Sequence, residues 1–385
     1  MSAPIVKGWC PGALRPMMSG DGLVVRIRPP LGRLSQKQAV GIATAAETFG
    51  NGLIDLSSRA NLQIRGVSET DHAALVTTLQ GLGVVDGDPQ IEARRNVTVT
   101  PFWQDGDPIL GLAQSLQTAL ADDDAPQTPG KFGYAIDCGP TPVLTQTAAD
   151  IRIERDASGK LIVRPDGAMF GAVVTAETAV PVALDLARWF LNTGGASGNR
   201  GRMARHIATG ALLPSLFAHP VTLPDAFKAD PGQINFGTMV ALEFGQISAS
   251  QLARLADLGP LRMTPWRMIL VENCTVPINI DGVHTSADTP CLRVSACTGA
   301  PGCPQALSPI RETARKIAPS VATDQSVHIS GCSKGCAHPQ SADITLVATG
   351  TNTFNLIRNG LASDQPDITG LTLSDLPDHI KNRGI

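Results

Sequence analysis

Four of the eight cysteines lie in two short, glycine-containing segments near the C-terminus. Cys297 and Cys303 are separated by five residues in CTGAPGCP, and Cys332 and Cys336 by three residues in CSKGCAHP. In a reducing compartment, closely spaced cysteines are more often metal ligands than disulfide partners. The sequence therefore predicts a metal centre built from these four thiolates.

The spacing of the four cysteines bears on which metal centre they hold. Zinc sites usually separate each cysteine pair by two to four residues, because a tight turn must direct both sulfurs at one ion. The first pair here is wider. An iron–sulfur cubane spreads its irons over a larger volume, and glycine-rich loops leave backbone amides free to point at its sulfides. The pattern favours a [4Fe–4S] cluster, with zinc or four unligated thiols as the alternatives.

The other four cysteines have no neighbouring cysteine with which to form a comparable pair. We interpret them as isolated, small buried residues. They are Cys10, Cys138, Cys274 and Cys291.

Composition limits the classes of partner. A chain of 385 residues with 43% hydrophobic residues is large enough for two or three lobes. A net charge of −3 gives no global attraction for nucleic acid or an anionic membrane. With neither a signal-peptide pattern nor a long apolar run, we expect a cytoplasmic protein without nucleic-acid or membrane partners.

One sequence module occurs twice. GLVVRIRPPLGRLSQKQAV and TMVALEFGQISASQLARL align through Gly-x-[Leu/Ile]-Ser-x-x-Gln. In each copy a strand-like run precedes a serine, Ser35 or Ser248, and a glutamine, Gln38 or Gln251, follows three residues later. This is the pattern of a capping box at a helix N-terminus. A strand–helix–strand unit is therefore predicted twice, which indicates a duplication with pseudo-twofold symmetry.

The cysteine spacing, placed after two such half-modules, resembles the sulfite and nitrite reductase family over nearly the whole chain. The resemblance implies an α/β (α+β) fold in which two ferredoxin-like half-domains pair pseudo-symmetrically beside two α/β lobes. The expected divisions are residues 1–80 and 221–270 for the half-domains, 81–220 for the first lobe and 271–385 for the cluster-binding lobe. In that family, the cluster lies next to a sirohaem that is bridged through the last cysteine, here Cys336.

Within the family, WCPGALRPMMSGDG, SACTGAPGCPQAL and GCSKGCAHPQ are most similar to the oxygen-dependent monooxygenases of aerobic cobalamin biosynthesis. The resemblance implies that precorrin-3A occupies the place of the haem and is converted to precorrin-3B by hydroxylation at C20 and closure of a γ-lactone. It also implies dioxygen as co-substrate, an NAD(P)H-linked electron donor and a mononuclear non-haem iron. The sequence does not identify the ligands of that iron or any catalytic residue.

A tetrapyrrole with several carboxylates requires converging cationic groups. Arg26 and Arg28 alternate with apolar residues, and a strand would direct both to one face; the same parity joins the polar residues of SSRANLQIRGV. The Arg-Asn-Val segment and Lys131 match basic segments of the family, and GNRGRMARH adds further arginines. The substrate-binding residues expected are Arg26, Arg28, Arg59, Asn61, Gln63, Arg65, Arg95, Asn96, Lys131 and Arg200.

Two other functions are compatible with these patterns. The first is a sirohaem-dependent sulfite or nitrite reductase. Sulfite reductases place a second lysine two residues after the position of Lys131, whereas this chain has Gly133, and that loss of charge disfavours an anionic substrate such as sulfite. The second is a non-enzymatic iron–sulfur electron carrier or a zinc-stabilised binding module.

Overall fold

The structure is a computed structural model that describes residues 11–222, 225 and 227–381. Four sheets of five or six strands organise this part of the chain. None of its helices is both long and apolar enough to cross a membrane. Two of the sheets belong to the duplicated half-modules and two to the intervening and C-terminal lobes.

The N-terminal part of the chain forms the first half-module and the first lobe. The half-module contains β1 (Met17–Ser19), β2 (Gly22–Ile27), β3 (Arg33–Leu34), α1 (Gln36–Phe49), β4 (Leu53–Leu56), β5 (Leu62–Val67) and α2 (His72–Gly81). The lobe contains α3 (Pro89–Arg94), β6 (Val97–Val99), α4 (Pro108–Ala121), β7 (Tyr134–Asp137), β8 (Ile151–Arg155), β9 (Leu161–Pro165), β10 (Phe170–Val173), α5 (Ala176–Asn192), α6 (Met203–Ala208) and β11 (His219–Pro220).

The C-terminal part forms the second half-module and the second lobe. The half-module contains β12 (Gly232–Ile234), β13 (Gly237–Leu242), β14 (Gln246–Ser248), α7 (Ala249–Ala256), β15 (Leu261–Met263), β16 (Met268–Glu272) and β17 (Val283–His284). The lobe contains β18 (Val294–Ala296), α8 (Ile310–Ile317), β19 (Val327–Ser330), β20 (Ala342–Gly350), β21 (Thr353–Gly360), β22 (Ile368–Thr372) and α9 (Leu376–Lys381).

Both helices predicted from the repeated motif begin with the expected capping box. The Ser35 hydroxyl accepts from the Gln38 backbone amide, and the Ser35 amide donates to the Gln38 side chain at 3.0 Å. Ser248 and Gln251 make the same reciprocal pair, with distances of 3.2 and 2.7 Å. The repeat is therefore structural, because equivalent residues satisfy equivalent orphan amides.

The element after each helix differs from the single strand that the sequence predicted. In both half-modules it is an antiparallel hairpin, β4–β5 in the first and β15–β16 in the second. Each hairpin turn contains a non-glycine residue with positive φ, Ala60 at 55° and Arg267 at 62°. Such turns break an otherwise continuous β-rich run and reverse the chain.

The half-modules exchange strands, which the sequence did not indicate. The short strand β3 pairs with β15 of the second half-module, and β14 pairs with β4 of the first. Helices α1 and α7 pack against each other, and buried residues from both half-modules form one hydrophobic core. The predicted pseudo-symmetric pairing is confirmed, and the exchange makes the two half-modules one folding unit.

An ion triad around a buried carboxylate crosses the exchanged strands. Arg33 of β3 donates to both carboxylate oxygens of Glu272 at 2.7 and 2.8 Å, and Arg262 of β15 donates to Oε1 at 2.6 Å. Arg262 also lies over the ring of Trp103, 3.7 Å from its centroid. Burial alone would raise the pKa of Glu272, but the two arginines lower it below its usual range. The triad therefore connects both half-modules and the first lobe.

Glu272→Gln is expected to lower the free energy of unfolding by about 3 kcal/mol, because two arginines lose a buried counter-charge. The wild-type contribution is present above the usual glutamate pKa and falls as pH drops through the lower folded-state pKa. Denaturant unfolding at pH 7 and pH 4 tests this, with a smaller difference expected at pH 4. The matched control is Asp185→Asn in an exposed ion pair, expected to change stability by less than about 0.5 kcal/mol. Equal effects of the two substitutions would contradict the triad's role.

Candidate cluster and substrate site

The cysteine segments follow neighbouring parallel strands. Cys297 comes directly after β18, and Cys332 lies two residues after the end of β19, which pairs in parallel with β18. The carboxyl ends of parallel strands meet at one edge of a sheet, which brings the two loops together. Cys303 and Cys336 then lie within these loops. The fold therefore gathers at one place the four cysteines that the sequence singled out.

The loop backbones are ordered around the sulfurs. The Gly331 amide donates to Cys297 Sγ at 3.2 Å, and the Cys303 amide donates to the Gly299 carbonyl at 2.7 Å. Burial raises the pKa of the Cys297 and Cys336 thiols, and the other cysteines of the group raise both further. A bound cation would counteract this effect at Cys297 and Cys336 by stabilising their thiolates.

Arg65 holds the first cysteine loop against the N-terminal half-module. Its buried guanidinium donates to Asp21 at 2.7 and 3.1 Å and to the Gly302 carbonyl at 2.8 Å, next to Cys303. Asp55 Oδ2 lies 3.7 Å from Arg65 Nε. The sequence predicted that Arg65 binds substrate. In the structure its donors are engaged within the protein, so we propose a supporting role for Arg65 instead.

Arg65→Ala is expected to reduce the free energy of unfolding by about 3 kcal/mol, because Asp21 loses its buried partner and the Gly302 carbonyl loses a donor. Chemical denaturation measures the difference. Arg205→Ala, at an exposed position of α6, is the control, with an expected change within about 0.5 kcal/mol. If Arg65→Ala is as harmless as Arg205→Ala, the network does not support the loop.

A basic cavity adjoins the cysteines. Its volume is ≈ 220 Å³, and both half-modules and the second lobe contribute to its walls. It is lined by Arg26, Asp55, Leu56, Ser57, Ser58, Gln63, Phe244, Gly245, Arg267, Ala296, Cys297, Thr298, Arg311, Cys336 and Ala337. Three arginines and one carboxylate thus surround a space that ends on two of the cysteines.

The side chains that line this cavity carry more positive than negative charge. Asp55 is paired with Arg311 at 2.9 Å, and in the described part of the chain neither Arg26 nor Arg267 belongs to an ion pair. Burial and repulsion from Arg311 lower the pKa of Arg267. An anionic ligand would relieve this repulsion, as a carboxylate does when it binds an arginine cluster.

Two of the sequence-predicted substrate residues lie in this cavity. Arg26 of β2 and Gln63 of β5 are opposite each other across the two strands. With its amide oxygen facing Arg26, Gln63 accepts from Nε at 3.1 Å and from Nη2 at 2.7 Å. Gln63 therefore orients the guanidinium, and the predicted polar face exists at this pair.

A second group of predicted residues lines a narrow cleft of the first lobe. Arg59, Asn61 and Asn96 line it together, and Arg59 donates to the Lys131 carbonyl at 2.8 Å. The Asn96 amide donates to three backbone carbonyls, including that of Phe132 at 3.1 Å. These residues connect the end of the β4–β5 hairpin to the loop before β7.

The other predicted substrate residues lie elsewhere. Arg28 lines a separate cavity and pairs with Glu92 at 3.3 Å, so Arg26 and Arg28 line different cavities although their alternation suggested a shared face. Arg95 donates to Asp86 from Nε at 3.0 Å. Arg200 is exposed in the loop before α6. Arg28 and Arg95 each form an ion pair with a carboxylate of the protein, and the alternation of residues along a strand does not reveal such a partner.

Two cavity arginines were missed by sequence reasoning. Arg267 occupies the turn between β15 and β16, and Arg311 lies on α8. The one sequence signal for Arg267 was its place in the second copy of the module, in a turn that contains Pro265. Nothing local marks Arg311, because its role depends on how α8 packs against the half-modules.

A buried histidine lies near the cysteines. His328 of β19 is fully buried, and its ring lies 5.7 Å from that of His338. Burial, with His338 and Arg267 nearby, lowers the pKa of His328 to about 4. Neither ring nitrogen of His328 has a hydrogen-bond partner among the described residues.

The isolated cysteines divide into three cases. Cys138 and Cys274 are buried, as predicted. Cys10 lies outside the described residues. Cys291 is also buried, as predicted, and its sulfur lies 3.3 Å from His284 Nε2, a contact that the sequence did not indicate.

Comparison with known proteins agrees with this architecture. Residues 15–82 match the nitrite/sulfite reductase ferredoxin-like half domain. The NirA protein of Mycobacterium tuberculosis superposes with a TM-score of 0.62 at 16% identity, over 94% of this chain and 80% of NirA. The chain has the sulfite and nitrite reductase fold.

Two relatives of this chain carry different names. The chain is 28% identical to a precorrin-3B synthase of Sinorhizobium sp, over 94% of this chain and 85% of the relative. It is 24% identical to a ferredoxin–nitrite reductase of Synechococcus elongatus, over 95% of this chain and 86% of that protein. The resemblance expected from the cysteine segments is thus confirmed along nearly the whole chain.

Proposed function

We propose that this protein is a precorrin-3B synthase, an oxygen-dependent monooxygenase that converts precorrin-3A to precorrin-3B. The observation that carries the proposal is the basic cavity that ends on Cys297 and Cys336, in a chain similar over 94% of its length to a precorrin-3B synthase. A cavity with unpaired positive charge suits a substrate with many carboxylates. The cytoplasm is the compartment that we propose.

The four cysteines suit an iron–sulfur cluster better than one zinc ion. Four sulfurs bound to a zinc at ~2.3 Å would lie about 3.8 Å apart. Among the described residues, no three of these sulfurs have all their separations within 4.8 Å. Beyond the effect of burial, the neighbouring cysteines nevertheless raise the pKa of Cys297 and Cys336, and Gly331 offers its amide to Cys297. We propose that Cys297, Cys303, Cys332 and Cys336 hold a [4Fe–4S] cluster, which when bound transfers single electrons.

The arginines would fix the macrocycle over the cluster. Arg26, Arg267 and Arg311 come from a strand, a hairpin turn and a helix, so their guanidinium groups approach the cavity from different directions. The cavity is smaller than the ~300–1,000 Å³ of typical small-molecule sites. A tetrapyrrole would therefore extend beyond it, and we propose that Arg59 and Lys131 contact the part that reaches the first lobe.

The protein's contribution to the reaction is to orient the substrate. Carboxylates held by fixed arginines place the ring A acetate beside the carbon that it attacks, and ring closure then costs little orientational entropy. One atom of dioxygen enters the C20 hydroxyl and the other leaves as water, with two electrons from the NAD(P)H-linked donor. The family also implies a mononuclear non-haem iron for oxygen activation.

The second candidate function is a sirohaem-dependent nitrite or sulfite reductase. The similarity to nitrite reductases at 22–24% identity favours it. Against it stands Gly133, at a position where sulfite reductases have a lysine. An added Cβ there would lie 3.3 Å from Arg59 Nη1. A sirohaem absorption band, together with reduction of nitrite or sulfite, would replace our proposal. About one zinc per chain without acid-labile sulfide would instead favour a zinc-stabilised binding module.

The deciding experiment is aerobic incubation of the purified protein with precorrin-3A and a reductant. Mass spectrometry should show the addition of one oxygen atom, and ¹⁸O₂ should label that atom. An anaerobic incubation is the control and should give no product. A product that carries no label from ¹⁸O₂ would contradict the monooxygenase proposal.

A further inference from the structure

A second group of metal-ligand side chains lies outside the four-cysteine loops. Glu243 begins the single-turn 3₁₀ helix after β13, His284 ends β17, and Cys291 lies in the short helix before β18. One ligand atom from each lies within 4.8 Å of the other two. Cys291 Sγ is 3.3 Å from His284 Nε2, and that nitrogen is 3.4 Å from Glu243 Oε1.

The arrangement differs from that of a nucleophilic triad. In a triad, one imidazole nitrogen faces the nucleophile and the other faces the carboxylate. Here the same atom, His284 Nε2, faces both Cys291 and Glu243. A neutral imidazole nitrogen that donates to one of them cannot also donate to the other. Three donor atoms that converge on one point are instead the geometry of a cation site.

We propose that Glu243, His284 and Cys291 bind one divalent transition-metal ion, Zn²⁺ or Fe²⁺. A thiolate and an imidazole exclude the hard cations Mg²⁺ and Ca²⁺ as preferred occupants, and a carboxylate completes a set typical of these borderline ions. Three protein ligands leave an open coordination position, which is the composition of reactive rather than structural metal sites.

A neighbouring arginine orients the carboxylate of this site. Arg315 donates to Glu243 Oε2 at 2.6 Å, which fixes the carboxylate and leaves Oε1 towards His284. Burial, followed by the charge of Glu243, raises the pKa of Cys291 to about 11. Metal binding would release the thiol proton.

The position of this site connects it to the substrate cavity. Phe244 and Gly245, the two residues after Glu243, line the cavity beside Cys297. Phe244 adopts φ 54°, and the chain turns here between Glu243 and the next strand, β14. The choice of iron as the physiological occupant rests on the proposed function, because a monooxygenase of this kind needs an iron close to its substrate. The proposal that these three residues bind a metal ion does not rest on that function.

Metal titration of the full-length protein tests the proposal. Co²⁺ and Zn²⁺ are the probes, and the variants are Cys291→Ser and His284→Gln. The matched control is Cys274→Ser, because Cys274 is a buried thiol whose sulfur faces only the Val276 carbonyl among its described hydrogen bonds. The four-cysteine loops are unchanged in all of these proteins, so differences between them report on Cys291 and His284.

We expect wild type and Cys274→Ser to retain one more equivalent of Zn²⁺ than Cys291→Ser and His284→Gln. A Co²⁺–thiolate charge-transfer band should weaken in Cys291→Ser and not in Cys274→Ser. Equal metal content in all folded proteins, as judged by circular dichroism, would overturn the proposal. If Cys291→Ser does not fold, His284→Gln decides by itself. No tetrapyrrole is used, so failure here leaves the proposed reaction untouched.

Discussion

Cys303→Ser should abolish the iron–sulfur cluster and with it the oxidation of precorrin-3A. A serine hydroxyl is a much poorer ligand for iron than a thiolate, and three cysteines would remain to hold a cluster that needs four. The loop itself should survive, because its amide hydrogen bonds, such as that from Cys303 to Gly299, involve the backbone alone. Iron and acid-labile sulfide per chain, measured beside the visible spectrum, test this expectation.

Cys138→Ser provides the control for this experiment. Cys138 is buried in the first lobe, and its sulfur donates to the Ile153 carbonyl. Cluster content should stay at the wild-type level in that variant. If Cys303→Ser also retains wild-type iron and sulfide, Cys303 is not a ligand and the assignment of all four cysteines must be reconsidered.

Arg267→Ala should weaken substrate binding about tenfold to a hundredfold while the cluster remains intact. A buried, charge-assisted hydrogen bond to a carboxylate contributes ~1.5–3 kcal/mol. Arg267 is the stronger choice for substitution because no ion pair within the described residues employs its charge, whereas Arg311 is engaged with Asp55. Its φ of 62° also keeps a bulky residue in a sparsely populated conformation, which is typical of functional positions.

Binding of precorrin-3A, followed by changes in its absorption, measures the effect. Arg254→Ala is the control, since Arg254 is an exposed arginine on α7 outside the cavity. Wild-type affinity in Arg267→Ala would show that the cavity beside the cysteines does not hold the substrate carboxylates. Loss of iron and sulfide in the same variant would mean that Arg267 supports the cluster loop instead.

Each of these experiments tests a different site. Cys303→Ser tests the metal centre, Arg267→Ala tests the substrate site, and metal titration of Cys291→Ser tests the second metal site. A cluster-containing protein that does not bind precorrin-3A would remove the proposed reaction without affecting either metal assignment.

Several features of the fold were predictable because they depend on residues close in sequence. The capping boxes at Ser35 and Ser248 require only a serine and a glutamine three residues later. The convergence of the cysteine loops follows from their positions after two strands, once those strands pair in parallel. The hairpins were missed, since a β-rich run that reverses at a non-glycine turn carries no strong turn signal.

The ion pairs of the arginines are less evident from the sequence than the positions of the elements. Alternation along a strand indicates which side chains share a face, and it did so for Arg26 and Gln63. It does not indicate which face finds a carboxylate. Arg65 and Arg95 each meet an aspartate, Asp21 and Asp86, so their charges are engaged within the protein.

By itself, the sequence determined the repeated half-modules and the gathering of four thiols. The tertiary structure alone decided that β3 and β14 exchange, that Arg267 and Arg311 join Arg26 around one cavity, and that Cys291 meets His284 and Glu243. The physical reason is range. Capping, alternation and loop spacing act over a few residues, whereas these meetings join residues that approach only when both half-modules and the second lobe pack together.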